Sequence, residues 1–314
     1  MKGRTYLLAL MLVVASACGG ATAAGLGGGI RRAPLASNAA DHWKAAVAAG
    51  DAAYAQRGDR AQLELAIQKY GEAIALKDDD WQSYEKLAHA HYLLAYGYVF
   101  FEQKPEQLLA AYQKGFEVAQ RGLAALSPEL EQRLAAGVDL KDAIALVGKD
   151  GVGLMYWYAT NLGRWGNAQD ITVILKYKDR IFNMMSRVLE LDPDYFHGAP
   201  YRYFGAYYSV APAFAGGDLD KSWKFFQDAI KAEPKYVGTY NLIAENYAPK
   251  KQDAALFDEM VKKVLDAPAD IISRLRTAAA AQAPEYGFAG DPNSPITASG
   301  RTSYYGHLLY VGGY

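Results

Sequence analysis

The chain has 314 residues, about half of them apolar, with 33 Lys and Arg against 34 Asp and Glu. A nearly balanced charge without a basic stripe argues against nucleic acid as a partner. The single cysteine, Cys18, excludes an internal disulfide and a cysteine-based metal site. The most informative feature of the composition is the set of 24 tyrosines, because they concentrate in a few segments.

Residues 1–17 have the layout of a secretory signal peptide. Lys2 and Arg4 precede an apolar stretch that is too short to span a bilayer, and small residues come directly before Cys18. Small residues followed by cysteine resemble a bacterial lipobox, so we expect Cys18 to carry acyl chains that anchor the protein to a membrane. The alternative is ordinary cleavage after Ala17, which leaves a free thiol on a soluble protein.

Residues 18–38 are rich in Gly and Ala and have no hydrophobic period. This composition predicts a flexible tether that makes no core contacts. Residues 39–281 are predicted to be helical, and residues 282–314, rich in Gly, Pro, Ser and Tyr, to be an irregular tail.

A pattern of small, large and small side chains recurs through the helical region. Ala66, Tyr70 and Ala73 are spaced four and then three apart, which places them on one helical face. This order resembles the tetratricopeptide repeat, in which small residues allow two helices of a hairpin to pack closely. The pattern returns at Gly115, Ala119 and Gly122, at Ile181, Met185 and Val188, and at Ser222, Phe226 and Ala229. The sequence therefore predicts an all-α solenoid of about four degenerate tetratricopeptide-like hairpins.

The repeats are separated unevenly, and the longest interval lies between residues 129 and 177. We interpret it as an inserted helical segment, with an aromatic cluster on a short helix at residues 154–165. A second aromatic helix follows Asp192-Pro193, which is predicted to end the helix before it. Gly216-Gly217 is predicted to end this aromatic helix, and Asp218 to cap the next one.

The spacing of the five histidines matches no common metal-binding motif, and the glycine-rich turns match no common catalytic or phosphate-binding motif. Glu85 and His89 share a helical face, which is most often a surface contact, and His197 is predicted to cap the aromatic helix. We therefore expect no enzyme activity, no metal site and no cofactor.

Three stretches together resemble the TRAP transporter T-component family: residues 154–165, 187–218 and 221–248. The resemblance implies a lipoprotein on the periplasmic side of the bacterial envelope, in the outer membrane since Gly19 follows Cys18. It also implies a homotrimer, an apolar channel through each subunit, and a periplasmic substrate-binding protein of a TRAP-type system as partner. At the C-terminus the sequence departs from the family, whose members close with an amphipathic helix.

The aromatic clusters give two hypotheses about function. In the first, they line a cavity for an apolar or amphipathic ligand that is passed to the partner, since buried tyrosine hydroxyls require polar partners. In the second, they fill the core of a scaffold that organises envelope proteins. The candidate ligand-binding residues are Tyr156, Trp157, Trp165, Tyr201, Tyr203, Phe204, Tyr207 and Tyr208.

Overall fold

A computed structural model describes residues 29–266. Regular structure in this range is helical and includes no strand, which confirms the predicted all-α class. The helices are α1 (Ser37–Tyr54), α2 (Arg60–Leu76), α3 (Trp81–Gly97), α4 (Pro105–Leu126), α5 (Pro128–Ala135), α6 (Leu140–Ala143), α7 (Val152–Asn167), α8 (Ile171–Leu191), α9 (Tyr195–Val210), α10 (Leu219–Ala232), α11 (Val237–Leu242), α12 (Ala248–Lys251) and α13 (Ala254–Leu265). A π-helical turn, Ile243–Tyr247, continues α11.

Helices that follow one another along the chain pack as hairpins: α1 with α2, α3 with α4, α7 with α8, and α9 with α10. Small residues permit the close approach. A Cβ added to Gly122 of α4 would lie 2.5 Å from the Leu154 side chain and 2.7 Å from that of Tyr84, so α4 packs tightly on both α3 and α7. The repeat positions Ala66, Tyr70, Ala73, Ser222, Phe226 and Ala229 are all buried, as the spacing predicted.

Two of the predicted helix ends are confirmed, whereas α9 ends at Val210, before Pro212, and not at Gly216-Gly217 as predicted. Helix α8 ends at Leu191, directly before Asp192-Pro193. The Asp218 carboxylate accepts hydrogen bonds from the backbone N–H groups of Asp220 and Lys221, which confirms it as the cap of α10.

The insertion is shorter than the sequence suggested. Helix α7 carries the aromatic stretch, but it forms a regular hairpin with α8 and packs on α4. Only α5, α6 and short 3-10 turns, within residues 127–151, lie between the second and third hairpins. The sequence concealed this because the recurring small-large-small spacing lies on the second helix of each hairpin, α2, α4, α8 and α10, and gives no signal for a first helix such as α7.

A sharp kink interrupts the first turn of α9. Phe196, His197 and Gly198 all have positive φ, at 45°, 60° and 72°, and this left-handed conformation is strained for the two non-glycine residues. The N-cap of α9 is Asp194, and His197 lies inside the kinked turn rather than before the helix as predicted. Its ring instead stacks on Tyr236, with centroids 5.1 Å apart.

The segment before α1 contacts the domain. The backbone N–H of Ile30 donates to Glu131 Oε1 and that of Arg31 to Asp78 Oδ2, at 2.6 and 3.0 Å. Arg32 forms an ion pair with Glu131. The prediction of a tether without core contacts is therefore wrong for these residues, because their backbone amides and cations meet carboxylates at the ends of α2 and α5.

The predicted signal peptide, Cys18 and the tail at 282–314 lie outside the described residues, as do residues 267–281 of the predicted helical domain. Between residues 29 and 266, no helix is long and apolar enough to cross a membrane.

Candidate ligand cavity

A cavity of about 340 Å³ lies between the first helices of the hairpins, α3, α7 and α9, and the neighbouring α8 and α11. This volume falls in the range of small-molecule sites. Its apolar lining includes Ala159, Ile174, Ile181, Met185, Ala199, Ala206 and Leu242.

Three of the predicted ligand-binding residues line this cavity: Tyr156, Tyr203 and Tyr207. Tyr203 and Tyr207 lie one turn apart on α9, with centroids 6.1 Å apart and ring planes 21° from parallel. The Tyr207 hydroxyl donates to the Ala215 carbonyl at 3.0 Å. Burial raises the pKa of the Tyr203 phenol.

The other predicted residues of α9 do not line this cavity. Phe204 is buried and stacks on Phe225 of α10, with centroids 5.1 Å apart. Tyr208 stacks on the same ring at 5.7 Å, and Tyr201 is half-buried outside the lining. This face of α9 packs on the helix after it, α10, because Gly205 lets Phe226 approach the α9 backbone.

The two tryptophans of α7 also lie outside the cavity wall, so their predicted place in a shared cavity does not hold. Trp157 is 1% exposed and stacks on His89, with centroids 3.7 Å apart. Trp165 meets the edges of Phe116 and Tyr177. Both rings fill contacts between helices, because α7 is a central hairpin helix with neighbours on several sides.

The cavity is also lined by polar side chains, which the aromatic pattern of the sequence did not indicate. Arg202 of α9 and Asn241 of α11 are 2% and 4% exposed. Arg164 of α7 lies over the Tyr96 ring, 4.4 Å from its centroid. Glu245 of the π-helical turn is also part of the lining. Apolar walls with a few converging polar groups are typical of sites that fix the orientation of a bound molecule.

A comparison with known protein families assigns the chain to one of them. The TRAP transporter T-component family model matches residues 95–283, more than half of the sequence. The chain belongs to the TRAP transporter T-component family. No curated protein sequence matches it significantly. Membership associates this T-component with a TRAP transport system at the cell envelope, in a family of transporter components rather than of enzymes.

The matched range contains the cavity residues of α7, α8, α9 and α11. One signal in this T-component sequence could have revealed the polar lining. Arg202 interrupts the aromatic run Tyr-Arg-Tyr-Phe, and a cation inside an apolar helix rarely lacks a specific partner.

Two further polar residues, Glu85 and His89, are more buried than the sequence indicated. Glu85 and His89 were expected at the surface, but the Tyr54 hydroxyl contacts His89 Nδ1 at 2.9 Å and the Tyr195 hydroxyl donates to Glu85 Oε1 at 3.2 Å. Burial lowers the pKa of His89 and raises that of Glu85. Among the described residues no group of three or more His, Cys, Asp or Glu could hold a metal ion.

Proposed function

We propose that this T-component binds an amphipathic small molecule in the cavity and passes it to a periplasmic substrate-binding protein of a TRAP-type system. The observation that carries the proposal is the cavity itself. It has an apolar wall, buried polar groups at Arg202 and Asn241, and a lining drawn from the part of the chain that matches the family. A scaffold would need a filled core at this place, whereas packing alone gives no reason for an open space of this size.

The proposal includes a membrane anchor at Cys18, with the domain on the periplasmic side and the acyl chains in the outer membrane. Residues 19–28 separate this cysteine from Gly29, the first described residue. Ten residues span at most about 35 Å when fully extended. The contacts of Ile30, Arg31 and Arg32 with Asp78 and Glu131 then hold that end of the domain within this distance of the bilayer surface.

Assembly as a homotrimer is also part of the proposal, as is docking to the substrate-binding protein. Both rest on membership of the T-component family. A small ligand that leaves this cavity needs a second binding site nearby, which a docked substrate-binding protein would supply.

Binding of an apolar fluorescent probe, N-phenyl-1-naphthylamine, tests the proposal. Ala206 lines the cavity, so Ala206→Trp should fill it and abolish the fluorescence increase that the unaltered protein gives. Ala110 on α4 is exposed, and Ala110→Trp is the matched control that should bind like the unaltered protein. Absence of probe binding to the unaltered protein, or equal binding by Ala206→Trp, would contradict the proposal and favour the scaffold.

A further inference from the structure

The most unusual group in the cavity wall is the buried guanidinium of Arg202. Its Nη2 donates to the Phe196 carbonyl at 2.7 Å, and its Nη1 donates to the His197 carbonyl. The guanidinium also lies over the Tyr236 ring, 4.1 Å from the centroid. All of these partners are neutral, so they orient the cation without balancing its charge.

No carboxylate of the described residues forms an ion pair with Arg202. Glu233, the residue directly after α10, faces His197 instead, with its Oε2 3.8 Å from His197 Nδ1. A buried charge without a counterion is unfavourable, and charges inside proteins are normally paired. Arg202 is 2% exposed, so bulk solvent hydrates and screens its charge only weakly.

The charged side chains that line the cavity carry a net positive charge. Among the described residues that form the wall, Arg164, Lys178 and Arg202 are cationic and Glu245 is anionic. The net positive charge of the wall favours an anionic guest, because Coulomb interactions strengthen where water is excluded.

Asn241 is the second unsatisfied group. Its side chain is 4% exposed and lines the cavity, and its Oδ1 has no hydrogen-bond partner within the described chain. A buried amide without hydrogen bonds is unfavourable. An anionic head group beside Asn241 would accept a hydrogen bond from its Nδ2, and a protonated head-group oxygen or a water molecule would donate to its Oδ1.

Apolar side chains line a more exposed part of the cavity, and Val210 lies about two helical turns from Arg202 along α9. Leu175 of α8 and Val210 of α9 both line the cavity and are 39% and 49% exposed. The buried polar groups and the more exposed apolar groups define a direction for the guest.

We infer that the ligand is an anionic amphiphile, whose head group binds Arg202 and Asn241 and whose hydrocarbon chain extends towards Leu175 and Val210. This inference rests on the proposed function, since it names the chemical class of the ligand. Carboxylate and phosphate head groups share the required chemistry.

Isothermal titration with four ten-carbon probes tests the inference: decanoate, decyl phosphate, decanol and decylamine. We expect one of the two anions to bind at least about tenfold more tightly than decanol, equivalent to about 1.4 kcal/mol, and decylamine to bind most weakly. The better anion identifies the head group. Decanol binding as tightly as both anions, or decylamine binding best, would overturn the inference and leave the proposed function intact. Binding of none of the four would contradict the proposed function itself.

Variants locate the head group. Arg202→Gln should reduce the affinity for the preferred anion at least about tenfold and leave that for decanol within about twofold, whereas Arg202→Lys should retain part of the anion preference. Because Arg202 also binds the strained turn at Phe196 and His197, Asn241→Leu provides a second test that removes no hydrogen bond. It should weaken anion binding more than decanol binding.

Lys224→Gln is the matched control, since Lys224 lies on α10, exposed and outside the cavity wall. It should change the anion preference by less than about threefold. An equal loss of anion and decanol binding in folded Arg202→Gln and Asn241→Leu would show that these residues only maintain the shape of the cavity.

Discussion

Two aromatic residues that the sequence placed in one site should respond very differently to truncation. Trp157 is 1% exposed, stacks on His89 and meets the rings of Tyr92, Tyr156 and Phe196. Removing such a ring leaves a cavity in the core, and Trp157→Ala should lower the free energy of unfolding by about 3–5 kcal/mol. In a domain of this size that corresponds to a fall in Tm of about 6–20 °C.

Tyr207 lies in the cavity wall instead. Tyr207→Ala loses the hydrogen bond to the Ala215 carbonyl and the edge contact with Phe182, whose centroid is 5.3 Å away. We expect a loss of about 1–2 kcal/mol, because the ring already faces an open space and little new cavity is created.

Thermal unfolding followed by circular dichroism measures both stabilities, and titration with N-phenyl-1-naphthylamine at 10 °C measures binding while both variants are folded. Tyr207→Ala should lose affinity by at least about fivefold, or about 1 kcal/mol. Trp157→Ala should stay within about twofold of the unaltered protein. If Tyr207→Ala is destabilised as strongly as Trp157→Ala and both bind the probe alike, the division into wall and core is refuted.

Three further predictions concern anchoring, electrostatics and packing. Cys18→Ala should release the protein from membranes with an unchanged Tm, and a variant that stays with membranes after a salt wash would contradict the anchor. Asp78 accepts hydrogen bonds from Tyr84 Oη and Arg121 Nη2 at 2.6 and 2.9 Å; burial opposes its ionisation, but bonds from Tyr84, the Arg31 backbone and Arg121 together lower its pKa. The stabilisation that its ionised form gives is therefore complete above the unfolded-state pKa of about 4 and is lost as pH falls through the lower folded-state pKa. Asp78→Asn should lower the free energy of unfolding by about 3 kcal/mol at pH 7. Urea titrations at a series of pH values should show that the stability of this variant falls less steeply in acid than that of the unaltered protein. A Cβ at Gly205 would lie 2.7 Å from the Phe226 ring, whereas one at Gly71 meets nothing within 4 Å. Gly205→Ala should therefore lower the free energy of unfolding by about 1–3 kcal/mol, and Gly71→Ala should raise it by about 0.5–1 kcal/mol. Equal effects of the two substitutions would contradict the packing of α9 on α10.

The hairpins could be predicted from the sequence because their signal is local. The faces of α2 and α10 follow from the spacing of small and large residues, and the start of α10 follows from a single capping carboxylate at Asp218. A cap or a helical face depends only on residues within a few turns, so one sequence is enough to find it.

The cavity wall could be predicted only in part, because it depends on which helices become neighbours. Helical spacing places Tyr203 and Tyr207 on one face of α9 and Phe204 on another, and only the first two lie in the cavity wall, while Phe204 is buried in the core. Whether Tyr156 or Trp157 faced the cavity depended on how α7 is oriented against α3 and α4. Adjacent residues on a helix point about 100° apart, and the aromatic run of α7 gives no period that distinguishes them.

The left-handed turn at Phe196 and His197 was also invisible in the sequence. Phe rarely adopts positive φ, and His does so only in a small fraction of cases. The turn is supported by Arg202, which donates to both of their carbonyls. Asn241 reaches the same cavity from α11, nearly forty residues along the chain. Contacts between residues that lie far apart in the sequence leave no local pattern from which they could be predicted.

The most direct test of the central claim, that this T-component carries an amphiphile in its cavity, is to identify what it holds when purified from the cells that produce it. Organic extracts of the unaltered protein, of Ala206→Trp and of the control Ala110→Trp should be compared by mass spectrometry at equal protein amounts. We predict an anionic amphiphile at close to one molecule per chain in the unaltered protein and the control, and its loss from Ala206→Trp. Extracts that contain no such molecule, or contain it equally in all three proteins, would contradict the account.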